Sequence, residues 1–184
     1  MKNKSMRIPI HDMVLTALFT AVLCVVAPYS IDLGPIPLTF ATLAVYLAAG
    51  TLGWKYSVLS VALYVALGAI GLPVFSKFEG GFQKIAGVTG GYIVGYIPCA
   101  LITGIIVKAF KEKIWSYIAG MVIGTAALYT CGTLWFVLQT GNTLAVSLAL
   151  CVTPFLIGDT IKITLACIAA PQLRNALKHV KKTK

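Results

Sequence analysis

Charge is scarce in this chain. Charged residues make up 11% of its 184 positions and only five are acidic, whereas an ordinary soluble domain carries about a quarter charged residues. A water-soluble fold would have no polar skin. Histidine is scarcer still: His11 and His179 lie at the basic ends, so no apolar run contains one. No HExxH, Walker lysine loop or GxSxG is present, which removes the zinc-protease, P-loop nucleotide and serine-hydrolase readings. With no ATP site in the chain, active transport would draw its energy from a partner or an ion gradient. The five cysteines, Cys24, Cys99, Cys131, Cys151 and Cys167, all lie in apolar stretches and form no CxxC pair. An odd number so placed fits small buried side chains rather than disulfides or a metal site. After Met1–Arg7 the first apolar run leads straight into others, with no small-residue cleavage site, so no cleavable signal peptide is expected.

Apolar text fills the space. Hydrophobic residues are 59% of the chain and the mean hydropathy is +0.91. About 20 apolar residues suffice for one helical crossing of a bilayer. Backbone polar groups find no water there, so the crossings should be helices that satisfy their own hydrogen bonds. A transmembrane barrel needs short alternating strands, which these unbroken runs are not. The expected fold is therefore all-α, a polytopic membrane bundle of six helices forming one domain over residues 1–184.

The first span is expected from His11 to Tyr29, stopped by Pro28 and the Asp32–Pro37 turn. The second runs from Leu38 to Gly53 and the third from Tyr56 to Leu72, with a tight Gly53–Lys55 turn between them. A polar, glycine-rich loop, Pro73–Gly91, is the longest interruption. Tyr92–Val107 and Trp115–Leu138 form the fourth and fifth spans. Thr143–Val152 reads as a short segment packed near one membrane face, and the sixth span, Phe155–Leu177, starts at Pro154, since proline is tolerated in a first helical turn.

The net charge of +10 does not form a stripe for nucleic acid; the cations cluster at the two ends and in short loops. Six spans with a cytoplasmic Met1 place Lys2, Lys4, Arg7, Lys55, Lys108, Lys111, Lys113, Arg174, Lys178, Lys181, Lys182 and Lys184 inside. Only Lys77 and Lys84 then face outward. This bias follows the positive-inside rule, which an odd number of spans would break.

Two charges interrupt the last apolar run, Asp159 and Lys162. Three residues apart, they share one helix face. Ionisable groups in a span are costly and usually face a cavity or a partner. They form either an internal ion pair that only holds the bundle together or the wall of a pocket in the outer half of the membrane. A carboxylate accepts N–H donors and an ammonium donates to a carbonyl or carboxylate, so a small ligand carrying both kinds of group would suit them. The loop Phe75–Lys84 combines aromatics, charges and the Gly80–Gly81 pair. It reads as a plain solvated hairpin or, given its length and aromatics, as a cover folded over a pocket. In the first span Ala17 and Ala21 form a small-xxx-small pair of the kind that lets membrane helices approach closely.

Taken together, the stretches Gly34–Thr39 (GPIPLT), Leu43–Val45 (LAV), Gly68–Phe75 (GAIGLPVF), Gly80–Gly81, Gly87–Tyr92 (GVTGGY) and Pro154–Lys162 (PFLIGDTIK) resemble the BioY family. They occur in order and with matching spacing over nearly the whole chain. Val88 stands where that family often has proline, and Ala41 where it often has glutamine. BioY proteins are biotin-binding S components of energy-coupling-factor transporters. The resemblance implies a six-helix bundle in the bacterial cell membrane that captures biotin from outside. It also implies a complex with a transmembrane coupling protein and two cytoplasmic ATP-binding cassette ATPases. On it, Asp159 and Lys162 become ligand-binding residues, and Ala17 and Ala21 become contacts to the coupling protein. Tyr92 and Trp135 are then candidates for packing against the ligand's rings, and Gly80 and Gly81 for the ligand site. No catalytic residue, metal or cofactor is expected. Other readings are an S component for thiamine or riboflavin, a small intramembrane enzyme, and a stand-alone secondary transporter.

Overall fold

The computed structural model describes residues 10–32 and 34–182, with side chains to residue 178. Lys2, Lys4, Arg7 and Lys184 lie outside the described residues, as do the side chains of His179, Lys181 and Lys182.

Each long apolar run forms a helix. In chain order these are α1 (Ile10–Val26), α2 (Ala41–Leu52), α3 (Trp54–Ala69), the short α4 (Phe82–Ala86), α5 (Gly90–Ala109), α6 (Ile114–Thr140), the short α7 (Leu144–Cys151) and α8 (Phe155–Lys182). Three of them, α5, α6 and α8, are long and apolar enough to cross a membrane alone, while α1, α2 and α3 are shorter apolar helices. The bundle is apolar on its outer surface as well as in its core, and it packs hydroxyls inside. Thr20, Ser57, Ser60, Thr103, Thr133 and Ser147 are buried, whereas Leu18, Val25, Leu138, Ile157, Leu165 and Ile168 face outward. Hydroxyls turned inward find partners across helices: Thr20 bonds Ser60 at 3.1 Å and Tyr46 bonds Thr125 at 2.5 Å. In hydrocarbon such groups have no water to turn to.

One departure from the expected spans shapes the site. Leu38–Phe40 is not the start of the second span. Pro37–Thr39 is instead a strand, β2, paired antiparallel with β1 (Ser30–Asp32), Ser30 opposite Thr39. Pro35 and Pro37 explain this: proline lacks a helix donor and biases the preceding residue away from the α region. The second helix is consequently only 12 residues long, about 18 Å at 1.5 Å per residue, against about 30 Å of hydrocarbon. Its residues Ala44, Val45, Tyr46, Ala48 and Ala49 are almost wholly buried, because α2 lies in the middle of α1, α3, α5 and α8. The bundle therefore has a short central rod with a hairpin beyond its N-terminus. The first span likewise ends at Val26 instead of Tyr29, just ahead of Pro28.

The closest pair, α5 and α6, depends on small residues. A Cβ added at Gly91 would lie 2.2 Å from Trp135 Cβ and 2.8 Å from the Cys131 carbonyl oxygen. Gly91→Ala is expected to pry the helices apart at a cost of about 1–3 kcal/mol, read as a lower melting temperature in detergent.

The charges sort to two ends. Near the end of α2, the Gly50 carbonyl accepts from Arg174 Nη1 at 3.1 Å. Glu112 holds Arg174 at 2.6 Å and Lys178 at 2.5 Å. At the hairpin end, Lys77 pairs with Asp32 at 2.9 Å and Lys84 pairs with Glu79.

Candidate functional site

The N-terminal turns of α8 run beside the N-terminus of α2. Pro154 precedes the first helical residue, and Asp159 and Lys162 follow within two turns. Both point at Thr42 in the first turn of α2. They are 4% and 5% exposed, so nearly all their hydration must be replaced by protein contacts.

Those contacts can be counted. Lys162 Nζ donates to Asp159 Oδ1 at 2.9 Å, to the Thr42 hydroxyl at 3.0 Å and to the Thr39 carbonyl at 2.8 Å. An ammonium has three donors, and all three are committed. Asp159 Oδ1 also accepts from Thr42 Oγ1 at 3.3 Å, and Asp159 Oδ2 accepts from Tyr129 Oη at 2.5 Å. One acceptor position on Oδ2 is left over. The Thr39 bond ties the hairpin to the charge pair. The Thr39 hydroxyl in turn bonds Tyr96 at 3.2 Å and accepts from the Ala41 N–H at 3.3 Å.

A cavity of about 40 Å³ lies against the pair, walled by Ile36–Thr39 of the hairpin segment, Tyr92 and Tyr96 of α5, Tyr129 of α6 and Phe155 of α8. It is apolar apart from hydroxyls and the two charges. That volume suits about one water, whereas ligand pockets run to several hundred cubic ångströms. Two further cavities adjoin it. One of about 30 Å³ shares Ile36, Pro37, Thr39 and Tyr92. Another of about 210 Å³ at the hairpin end shares Pro37 and is walled by Gly34, Lys77, Lys84 and Thr89. Pro37 is common to the walls of all three spaces.

The expected site residues divide into two groups. Asp159, Lys162 and Tyr92 meet at the 40 Å³ cavity. Tyr92 presents its ring there while its hydroxyl donates to the Cys151 carbonyl at 3.0 Å. Trp135, Gly80 and Gly81 are not on that wall. The Trp135 indole N–H donates to the Gly87 carbonyl at 2.9 Å, and Gln139 Nε2 to the Ala86 carbonyl at 2.8 Å, so both tie the glycine-rich loop to α6. Gly80 sits where a Cβ would be 2.2 Å from the Leu72 carbonyl oxygen, and Gly81 has φ +96°. The pair turns the loop back on the end of α3, with the Gly81 N–H bonded to the Gly68 carbonyl at 2.7 Å. The loop is held down by Phe75, fully buried and edge-on to Tyr64 at 5.6 Å. Its residues Ser76 and Thr89 line the 30 Å³ cavity, so it covers that space rather than standing free in solvent. Ala17 and Ala21 are exposed on α1, one turn apart.

Thr42 and Tyr129 are the participants that sequence reasoning missed. A buried carboxylate requires hydrogen-bond partners, but their identity follows only from how α2, α6 and α8 converge.

Comparison with known proteins gives a consistent picture. A family model described as the BioY family matches residues 1–179. A biotin transporter BioY of Thermotoga maritima is 38% identical over 165 residues, covering 89% of this chain and 96% of that protein. A biotin transporter BioY2 of Lactococcus lactis is 31% identical over 173 residues, covering 94% and 95%. Among solved structures, the S-component for biotin from an ECF-type ABC transporter superposes with a TM-score of 0.83 at 26% identity. The superposition covers 90% of this chain and 92% of that one.

Proposed function

This chain belongs to the BioY family, and from that premise we propose that it is the biotin-binding S component of an energy-coupling-factor uptake system. It is a multi-pass protein of the bacterial cell membrane and a transport component rather than an enzyme. The observation that carries the site assignment is the buried Asp159–Lys162 pair with an unused acceptor position beside a cavity. Biotin offers what this pair can read: ureido N–H donors, a ureido oxygen and a terminal carboxylate. Asp159 accepts from the ureido ring. Lys162 meets the ureido oxygen or the carboxylate after releasing the Thr39 carbonyl, and the ring face of Tyr92 packs on the bicycle. Trp135, Gly80 and Gly81 act through the loop they shape.

Six crossings with both ends cytoplasmic fit the two charge clusters. The glutamate-clasped Arg174 and Lys178 lie on the inner side, and the hairpin with Lys77 and Lys84 on the outer. The cavity then opens outward, as capture from outside requires. Energy comes from partners, a transmembrane coupling protein and two ATP-binding cassette ATPases, with Ala17 and Ala21 meeting the coupling protein at a close helix approach.

Calorimetry on the detergent-solubilised protein tests the reading. Saturable one-site binding of biotin, with none of thiamine or riboflavin, is expected. A folded sample that ignores biotin and binds one of the other two would transfer the assignment to that vitamin.

A further inference from the structure

A cavity of about 250 Å³ lies at the other end of α2, between the starts of α1 and α3 and the last turns of α8. Its wall holds an unpaired group. Thr51 is 7% exposed, and among the described residues its hydroxyl has no hydrogen-bond partner, although a buried hydroxyl left unmatched costs free energy. Thr20, Thr42 and Thr103, buried in the same bundle, are all paired.

The cations on this wall have donors to spare. Arg174 and Lys178, four residues apart, share one face of α8 and both line the cavity. A guanidinium has five N–H donors, and three acceptors are recorded for Arg174: the Gly50 carbonyl, Glu112 Oε1 and the Tyr117 hydroxyl. The Lys178 ammonium has three donors and gives one to Glu112. The neighbouring carboxylates are already served. Glu112 holds both cations, and Asp12 on the wall is met by His11 at 3.3 Å and by the Tyr56 hydroxyl. In sequence, Lys2, Lys4 and Arg7 precede His11, and Lys181, Lys182 and Lys184 follow Lys178, so positive charge prevails at this end. Leu15, Leu52 and Leu177 make part of the same wall apolar. Trp54 and Trp115 lie in the first turns of α3 and α6 at this end, Trp115 largely exposed, and tryptophan concentrates at headgroup depth.

Taking from the reading above only that this end faces the cytoplasm, we propose that the cavity binds the phosphate group of an anionic phospholipid from the inner leaflet. Arg174, Lys178 and the Thr51 hydroxyl donate to the phosphate oxygens, which accept several charge-assisted bonds at once. The acyl chains leave past the leucines. Basic pockets between spans on the cytoplasmic side suit such headgroups, whereas a soluble phosphate would leave the leucines unused. The lipid thereby ties the end of α2 to α8.

The test is the melting temperature of the full chain in neutral detergent with phosphatidylglycerol, with diacylglycerol of the same chains, or with inorganic phosphate. Phosphatidylglycerol at a hundredfold excess over its dissociation constant should raise melting by roughly 5–10 °C, and diacylglycerol should not. Thr51→Val removes the hydroxyl at nearly constant shape. Without lipid it should melt no lower than wild type, since it deletes an unpaired group. With the same lipid it should gain only about half the wild-type rise, the mark of a roughly tenfold weaker site. Lys178→Gln, read against its own lipid-free melting, should show a similar shortfall. No rise in wild type, or an equal rise in all three proteins, would overturn the proposal, because the lipid would then act elsewhere. Lower melting of lipid-free Thr51→Val would also overturn it, by showing that the hydroxyl is already satisfied. An equal rise with inorganic phosphate, reduced in the same two variants, would replace the lipid by a soluble phosphate compound. Biotin titration of the same samples is a separate readout, so a failed biotin reading and a failed lipid site are told apart.

Discussion

Asp159→Asn is expected to weaken biotin binding roughly a hundredfold to a thousandfold, about 3–4 kcal/mol, in a protein that still folds. The amide has the carboxylate's shape, so the loss comes from the pattern of donors and acceptors. If the amide oxygen replaces Oδ1, it still accepts from Lys162 and Thr42, but the Tyr129 hydroxyl must turn to accept from the NH₂ group, which then faces the ligand's N–H, donor against donor. If the amide is turned round, its NH₂ faces the Lys162 ammonium 2.9 Å away, which is worse. Either orientation also leaves Lys162, 5% exposed, without a counter-charge. Titration calorimetry reads the affinity directly. Wild-type affinity in this variant would remove Asp159 from the ligand's contacts.

Much of the bundle was legible because the bilayer imposes a simple rule on sequence. Apolar runs become helices, and α1, α3, α5, α6 and α8 lie where such runs were read, as does the short α7 after Asn142. The error at the second span has a physical cause. Leu38, Thr39 and Phe40 are apolar enough to extend a helix, and three-residue strands are too short to show a period of two. The prolines at 35 and 37 are the available sign, but a turn that ends at Pro37 and a hairpin that pairs through it look alike in sequence. That detail matters, because the Thr39 carbonyl is what ties the hairpin to Lys162.

The candidate site is legible where it breaks a rule and silent where it obeys one. Asp159 and Lys162 stand out as charges in an apolar run, and their three-residue spacing gives the shared face seen in the 2.9 Å pair. Thr42 and Tyr129 do not stand out, since buried hydroxyls occur throughout the bundle. Tyr129 is 30 residues from the carboxylate it holds, beyond the reach of any local pattern. Trp135 looked equally suited to a ring because its type suits one. Its place on α6 instead brings its N–H to Gly87, a distinction made by helix packing alone.

Lys162→Met separates the two readings that the sequence left open for the charge pair. Alone, it removes the partner of a buried carboxylate. The protein should lose about 3–5 kcal/mol of stability, which for a chain of this size is roughly 6–20 °C of melting temperature. Adding Asp159→Asn on top removes the uncompensated charge while keeping a polar group for Tyr129 and Thr42. The double variant should regain most of the lost stability, because neutral groups in a desolvated site cost far less than a lone ion. The Thr39 carbonyl loses its ammonium donor in both variants, so that defect cancels in the comparison. If the pair existed only to hold the bundle, the restored double variant would bind biotin again. A pair that reads the ligand predicts the opposite: melting recovers, and calorimetry shows no biotin binding at concentrations that saturate wild type. Recovery of both properties together would return Asp159 and Lys162 to a purely structural role. Failure of the double variant to recover stability would show that the single variant's loss is not electrostatic.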